Sequence, residues 1–249
     1  MGKLDGKVAL VTGSGRNIGR ATVLKLASEG AHVVVNSRSN QAEAEAVVRE
    51  AQARGVKALS VLADVAKKDQ VDRMVARALS EFGKIDILIN NAAIRPHKPF
   101  TELTVQDWEA VRGVVLDGAL YCTLAVIKSM VSNSYGRIVF FTGEGAFVGG
   151  SGRGHVSAAK MGLVGLARSL ASEFAPHNIR VNVVSPGSID TSRANPDWYQ
   201  GRPPSAAGVP LGRQGTVDEI AATCLFLVSE DGGFITGQTI HANGGVAYY

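Results

Sequence analysis

Val8-Ala9-Leu10-Val11-Thr12-Gly13-Ser14-Gly15-Arg16-Asn17-Ile18-Gly19 is an apolar run that breaks into glycines and reopens as a helix. It reads as a buried strand, a tight turn whose backbone can approach a phosphate, and a helix whose N-terminal amides point at that phosphate. We read it as a dinucleotide-binding turn. The G-x-G-x-x-G spacing is missed by one place, with Ile18 where the third glycine would stand. The spacing that fits is T-G-x-x-x-G-x-G: Thr12, Gly13 and Gly19 are in place and Asn17 takes the middle glycine. Asn is the non-glycine residue best able to adopt positive φ, so the turn is expected to survive the change.

Outward from this stretch, strand-like apolar runs fall at about 7–12, 31–36, 56–62, 86–90, 136–142, 179–185 and 237–241. Helical patterns alternate with them at about 17–29, 40–54, 67–82, 104–131, 155–175 and 216–228. Strands that read as continuous Val, Ile and Leu, separated by helices, predict a parallel sheet buried on both faces. The expected fold is α/β: a single doubly wound (Rossmann) sheet of about seven strands with helices on both faces. One domain spanning 1–249 accommodates it, since no repeat, low-complexity tract or linker divides the chain. Residues 188–215, rich in Pro, Gly and Arg, carry no sheet element and follow a strand's C-terminal end, where ligands bind in open α/β sheets. They read as a substrate lid, with Arg193, Trp198, Tyr199 and Arg202 as pocket candidates.

Composition narrows the function classes. An apolar content of 45% supplies a core, and 29 glycines suit many tight β-α turns. The net charge of +4 is spread over 26 basic and 22 acidic residues with no basic run, which argues against a nucleic-acid partner and suits an anionic cofactor. Cys122 and Cys224 stand in no metal or redox spacing, so neither a metal site nor a disulfide framework is expected and a reducing compartment fits. The opening Met1-Gly2-Lys3-Leu4-Asp5-Gly6-Lys7 has no apolar leader, and no uninterrupted apolar stretch approaches the ~20 residues of a membrane span. These readings predict a cytoplasmic protein away from membranes.

The second strand ends Val33-Val34-Val35-Asn36-Ser37-Arg38-Ser39, with no Asp or Glu between 31 and 42 to accept a ribose 2′-hydroxyl. Arg38, with Arg16 in the facing turn, favours a 2′-phosphate and hence NADP(H); a solvated surface Arg38 is the alternative. Asp64-Val65 after the third strand and Asn90-Asn91-Ala92-Ala93 after the fourth put small or polar residues where adenine and ribose would lie. Ser185-Pro186-Gly187-Ser188-Ile189-Asp190-Thr191 follows the sixth strand, with Gly187 open to a nicotinamide and Thr191 able to bond its carboxamide or a phosphate. The expected cofactor contacts are therefore Gly13, Ser14, Arg16, Asn17, Ile18 and Gly19 from the turn, then Arg38, Asp64, Val65, Asn91, Ala92, Pro186, Gly187, Ile189 and Thr191.

Taken together with Lys160, Thr236-Gly237-Gln238 and Gly244-Gly245, these pieces resemble the short-chain dehydrogenase/reductase family over essentially the whole chain, and most of all its 3-oxoacyl carrier-protein reductase branch. The resemblance implies an NADP(H)-type Rossmann subunit, usually a homotetramer, acting on a small carbonyl or alcohol substrate. Members of the family use a Tyr as general acid/base, a Lys one helical turn later that also holds the nicotinamide ribose, a Ser at the substrate oxygen and an Asn in a proton relay. The chemistry is plain: hydride transfer leaves an alkoxide that needs a proton, and a Tyr of pKa about 10 serves only if a neighbouring Lys⁺ lowers it.

This chain has no Tyr-x-x-x-Lys. Anchored on Ala158-Ala159-Lys160-Met161-Gly162, the Tyr position is Val156, the Ser position Gly143 and the Asn position Val115, leaving Lys160 alone. A general acid is worth roughly 10²–10⁴ in rate and an oxyanion donor roughly 10²–10³, so the ordinary mechanism is not available. Glu144 beside the lost Ser and His155 beside the lost Tyr are the candidate substitutes, a carboxylate and an imidazole able to work near neutral pH. Five residues turn about 140° around a helix, so His155 does not simply replace the Tyr on the face of Lys160, whereas Ser157 faces it better. Arg95 and His97 follow the fourth strand in a loop that reads as solvated, with contact to a substrate acid as the alternative.

Two function classes follow. One is an NADP(H)-dependent oxidoreductase acting on a carbonyl or alcohol through a nonstandard proton donor. The other is a catalytically silent subunit that supports an active sibling in a hetero-oligomer.

Overall fold

The computed structural model of the chain describes residues 2–191 and 205–249. The apolar runs become β1 (Val8–Val11), β2 (His32–Ser37), β3 (Ala58–Leu62), β4 (Ile87–Asn90), β5 (Gly136–Phe141), β6 (Ile179–Pro186) and β7 (Thr239–Ala242). They form one sheet of order β3-β2-β1-β4-β5-β6-β7, parallel throughout. Leu10 of β1 pairs with Val34 of β2 on one side and Leu88 of β4 on the other. The chain winds outward in both directions from β1 and β4, so the two halves part between them and leave a crevice at the C-terminal ends of the strands.

Alternation within each strand divides the core into two layers. Ala9, Val11, Ile87, Ile89, Val139 and Phe141 pack with α1 (Asn17–Ser28), α2 (Gln41–Gln52) and α8 (Val217–Val228) on one face. Leu10, Leu88, Ile138 and Phe140 pack on the other with α3 (Lys68–Phe82), α4 (Val105–Arg112), α5 (Gly118–Ser132) and α7 (Gly154–Phe174). A short α6 (Gly145–Val148) follows β5. Capping boxes start α4 and α8: Thr104 accepts from the Asp107 amide and Thr216 from that of Glu219, and each carboxylate bonds back to the cap residue's amide.

The sequence predicts one helix over 104–131, whereas the chain forms α4 and α5 joined by a π-helical turn at Gly113–Asp117. A π turn shifts the side-chain register, and it leaves Val115 buried in the core. The combined span Val105–Ser132 is long and apolar enough to cross a bilayer by length and composition alone. Its Val111, Val115, Cys122, Val126 and Met130 are instead buried against the sheet, which explains the apolar composition by packing. β7 begins two residues later than predicted because Gly237 takes φ +73 and turns the chain before the strand.

The expected lid over 188–215 is described only at its ends. Ile189 bridges to Gly215 in parallel, the Ser188 hydroxyl donates to the Ser205 carbonyl at 3.0 Å, and the Gln214 amide donates to Ser188 Oγ at 3.2 Å. Arg193, Trp198, Tyr199 and Arg202 lie outside the described residues.

Asn17 opens α1 with φ +49, the left-handed geometry that the sequence assigns to it. Left-handed backbone costs an ordinary L residue about 1–2 kcal/mol. Asn17→Gly is therefore expected to melt within about a degree of the wild type, and Asn17→Val roughly 2–4 °C or more below it. Thermal unfolding followed by circular dichroism checks this; equal midpoints for Val and Gly would contradict it.

Candidate active site

Four residues build the crevice between β1 and β4. The Thr12 hydroxyl accepts from the backbone amides of Asn91 and Ala92, both at 3.1 Å, and donates to the Ile89 carbonyl at 3.4 Å. The Asn91 side-chain amide donates to the carbonyls of Thr12 and Gly13, both at 2.9 Å. From the other side, Asn36 Oδ1 accepts the Gly13 amide at 3.1 Å while its Nδ2 donates to the Ala63 carbonyl at 3.1 Å. The turn is thus fixed to β4 through Asn91 and to β2 and β3 through Asn36. Gly19 completes it: a Cβ there would lie 2.5 Å from the Gly13 carbonyl oxygen and 2.7 Å from Asn91 Nδ2.

A cavity of about 1210 Å³ runs across the C-terminal ends of the strands from this turn. Gly13, Arg16, Asn17, Ile18 and Gly19 line one end with Arg38, Asp64 and Val65, and Asn91, Ala92, Pro186, Gly187, Ile189 and Thr191 continue along it to Lys160. Ser14 is the exception among the expected contacts. Its side chain is fully buried, donating to the Val11 carbonyl at 2.7 Å and accepting the Asn36 amide at 3.1 Å, so it braces the turn from behind. Arg16 and Arg38 are both exposed at the rim of this end.

The other end holds the positions where a proton donor is sought. Gly143 and Val156 both line the cavity, and Val115 is in the core beside the lining residue Val114. Lys160 is buried, and its ammonium group donates to the Phe141 carbonyl at 2.5 Å. Burial first, and the positive charge of Arg95 second, push its amine down to about 7. Glu144 also lines the cavity; its amide donates to the Pro186 carbonyl at 3.1 Å, and its Oε2 is buried without a hydrogen-bond partner. Burial raises the Glu144 carboxyl above the ordinary glutamate value, because removal from water disfavours the charged form. The Ser157 hydroxyl donates to the Gly145 carbonyl at 3.0 Å and ties the first turn of α7 to the turn that carries Glu144.

His155 does not join this group. It is 2% exposed and absent from the cavity wall, with neither ring nitrogen hydrogen-bonded. The reason is helical geometry: Val156, four residues before Lys160, shares its face, whereas a fifth residue back lies about 140° around the helix, off the cavity wall. Burial lowers the His155 imidazole, so it is held neutral inside the packing. Of the two candidate substitutes, the structure brings only Glu144 to the cavity with Lys160.

Two lining features were not legible from motifs. Asn36 stands at a strand end where an acid was sought, and nothing in one sequence marks its amide as the hub of two turns. Arg153, which also lines the cavity, follows Gly149-Gly150-Ser151-Gly152, a glycine-rich connection that matches no site motif.

Comparison with known proteins agrees with this geometry. A family model described as enoyl-(acyl carrier protein) reductase matches residues 13–247. A 3-oxoacyl-[acyl-carrier-protein] reductase of Synechocystis is 38% identical over the full length of both chains. The (2S)-[(R)-hydroxy(phenyl)methyl]succinyl-CoA dehydrogenase subunit BbsD of Thauera aromatica is 39% identical, with 97% of each chain covered. A solved structure described as a short-chain alcohol dehydrogenase from Sinorhizobium meliloti superposes with a TM-score of 0.91 at 32% identity, covering 98% of this chain and 97% of the other.

The desolvated Lys160 makes a sign prediction for the nucleotide-free protein. Its amine titrates near 7 when folded and at the ordinary lysine value of 10.5 when unfolded, so between these values the unfolded chain binds more protons and stability rises with pH. Below pH 7 the full penalty applies. Lys160→Met is expected to raise the thermal midpoint at pH 6 by roughly 2–4 °C, the gain shrinking as pH rises through this window. Melts at several pH values check it, and a midpoint lowered at every pH would contradict the burial of an uncompensated charge.

Proposed function

The chain belongs to the short-chain dehydrogenase/reductase family, and from that membership we propose that it is an NADP(H)-dependent oxidoreductase of a small carbonyl or alcohol substrate in which Glu144 supplies the proton. The observation that carries this is the unpartnered, buried Glu144 Oε2 on the same cavity wall as Lys160. A buried polar atom without a partner is costly, and a reacting oxygen seated beside it would provide one. NADPH, when bound, supplies the hydride.

The residues present fit such a cofactor. The N-terminus of α1 would face a pyrophosphate, and Gly19 keeps the turn before it tight. Arg16 and Arg38 would hold a 2′-phosphate, Asp64 lines the same end of the cavity, and Lys160 would hold the nicotinamide ribose hydroxyls. Glu144, protonated to higher pH than an ordinary glutamate, gives its proton to the oxygen of a reduced carbonyl and takes one in the reverse direction. Gly143 leaves the oxygen side open, since a Cβ there would meet only the Pro186 carbonyl oxygen, at 3.8 Å.

Exposed apolar side chains on α4 and α5 (Val105, Trp108, Leu124), and Phe226 and Phe234 at the end of α8 and just beyond, favour assembly, which we read as a homotetramer. Buried free thiols at Cys122 and Cys224, each pushed up to about 12 by burial, suit a cytoplasmic setting. A second reading is a silent subunit within a hetero-oligomer. The loss of the three side chains at Gly143, Val115 and Val156 favours it, as does a relative that is itself named as a subunit.

Steady-state NADPH oxidation with a panel of carbonyl compounds separates the two. Glu144→Gln is expected to lower kcat roughly 10²–10⁴-fold without changing NADPH affinity. In the reductive direction the wild-type rate falls as pH rises through the raised Glu144 value, and that limb is absent from the variant. A wild type that binds NADPH but turns over no carbonyl until a sibling chain is added would establish the second reading. For the cofactor, Arg38→Gln should weaken NADPH about tenfold and leave NADH unchanged, as direct titration will show; equal losses for both would remove the 2′-phosphate contact.

A further inference from the structure

Glu144 sits on a turn that is fixed from three directions. Its own amide donates to the Pro186 carbonyl at the end of β6, at 3.1 Å. The carbonyl of Gly145, the next residue, takes the Ser157 hydroxyl of α7 at 3.0 Å. The third fixing point is aromatic and comes from the edge of the sheet. Phe147, in the single turn of α6, packs edge-on to the His241 ring of β7, with centroids 4.7 Å apart and planes at 75°. Tyr249 lies against both, its ring 5.1 Å from that of Phe147 and 5.1 Å from that of His241. The three rings form one contiguous contact, since aromatic pairs attract over centroid distances of about 4.5–7 Å.

The outer members of this cluster are themselves held. His241 is in register with Ser185, and Ala242 with Pro186, the residue that receives the Glu144 amide. Asn243 then folds residues 245–249 back: its Oδ1 accepts the Gly245 amide at 3.0 Å and its Nδ2 donates to the Ala247 carbonyl at 2.9 Å. By contrast, α6 has little to hold itself. It is four residues long, and the amides of Phe147 and Val148 both turn back to the Glu144 carbonyl, at 2.9 and 3.1 Å. One turn of helix is marginal without packing. A Cβ at Gly145 or Gly149, at its two ends, would meet nothing within 4 Å, so the ends supply none. No hydrogen bond orients Glu144 Oε2 either, so the place of the carboxyl follows from the place of its backbone.

We propose that Phe147, His241 and Tyr249 are positioning residues, whose rings fasten α6 to β7 and thereby hold the Glu144 carboxyl in the cavity. The inference rests on the reading of Glu144 as the proton donor. It gives three side chains a part in that reaction although none of them lines the cavity.

Tyr249 is 69% exposed, so Tyr249→Ala removes the outer ring without opening the core. Two readouts are taken. One is the titration of the Glu144 carboxyl in nucleotide-free protein by ¹³C NMR, its signal assigned by its loss in Glu144→Gln; the other is steady-state reduction of carbonyl compounds by NADPH. Lys160, Arg95, His97 and Arg153 share the cavity and remain in every variant, so a changed titration reports the seating of the carboxyl. Tyr249→Ala is expected to let water reach Glu144 and bring its raised value down toward that of an ordinary glutamate. The same variant should lower kcat roughly 10²-fold with KM for NADPH unchanged. Phe147→Leu should act likewise, and Tyr249→Phe, which keeps the ring, should match the wild type in both readouts. A Glu144 carboxyl that titrates as in the wild type in Tyr249→Ala and Phe147→Leu overturns the proposal. So does a Tyr249→Phe protein that behaves as Tyr249→Ala does, which would place the effect on the hydroxyl and not the ring contact. A titration that moves while turnover does not would uphold the aromatic fastening and count against Glu144 as the proton donor alone.

Discussion

The clamp between Thr12 and Asn91 is the constraint on which the rest of the molecule depends. Two parallel strands that part company at their C-terminal ends leave unsatisfied backbone groups unless something spans them. Here a threonine hydroxyl takes the two amides after β4 while an asparagine amide takes the two carbonyls after β1. The two strand ends are thereby bonded to one another across the opening without closing it. Asn36 repeats the device toward β2 and β3, and Ser14 fills in behind. The turn that faces the cavity is consequently braced on both sides, at the end of the cavity where Arg16 and Arg38 stand.

At the other end of the same cavity the side-chain chemistry differs from what the family resemblance implies. Val156 occupies the helix face of Lys160 where a phenol would stand, and the amine is left bonded only to a backbone carbonyl among the described residues. An amine so buried is poised between its charged and neutral forms near physiological pH, and a carboxyl nearby is raised by the same desolvation. Loss of water displaces both groups from their ordinary acidities, the amine downward and the carboxyl upward. The charge of Arg95, at the same cavity, adds to the burial that depresses Lys160.

Much of this was legible in the sequence because the relevant physics is local. Apolar runs of Val, Ile, Leu, Ala and Phe in β1, β4 and β5 dictate a sheet buried on both faces, and Asn17 takes the positive φ that its spacing with Gly13 and Gly19 requires. Nearly all the expected cofactor residues line one cavity because strand ends in a parallel sheet converge there by topology. What was hidden depends on orientation and on distant partners. The π turn at Gly113 re-registers a helix that periodicity reads as continuous. The exclusion of His155 from the cavity depends on which face of α7 meets the sheet, and the hub role of Asn36 depends on two turns that approach it from elsewhere. Arg153 and Arg95 are far apart in sequence and meet through a carbonyl bond across two loops.

The most direct test of the account is isotopic. The purified chain, alone, is incubated with carbonyl compounds and NADPH carrying deuterium at the transferable position of the nicotinamide, and the products are analysed by mass spectrometry. The account predicts an alcohol bearing one deuterium at the former carbonyl carbon, formed without any second protein. Full occupancy of the cavity by nucleotide with no label in any product would contradict it, and would mean that this cavity binds the cofactor without using it.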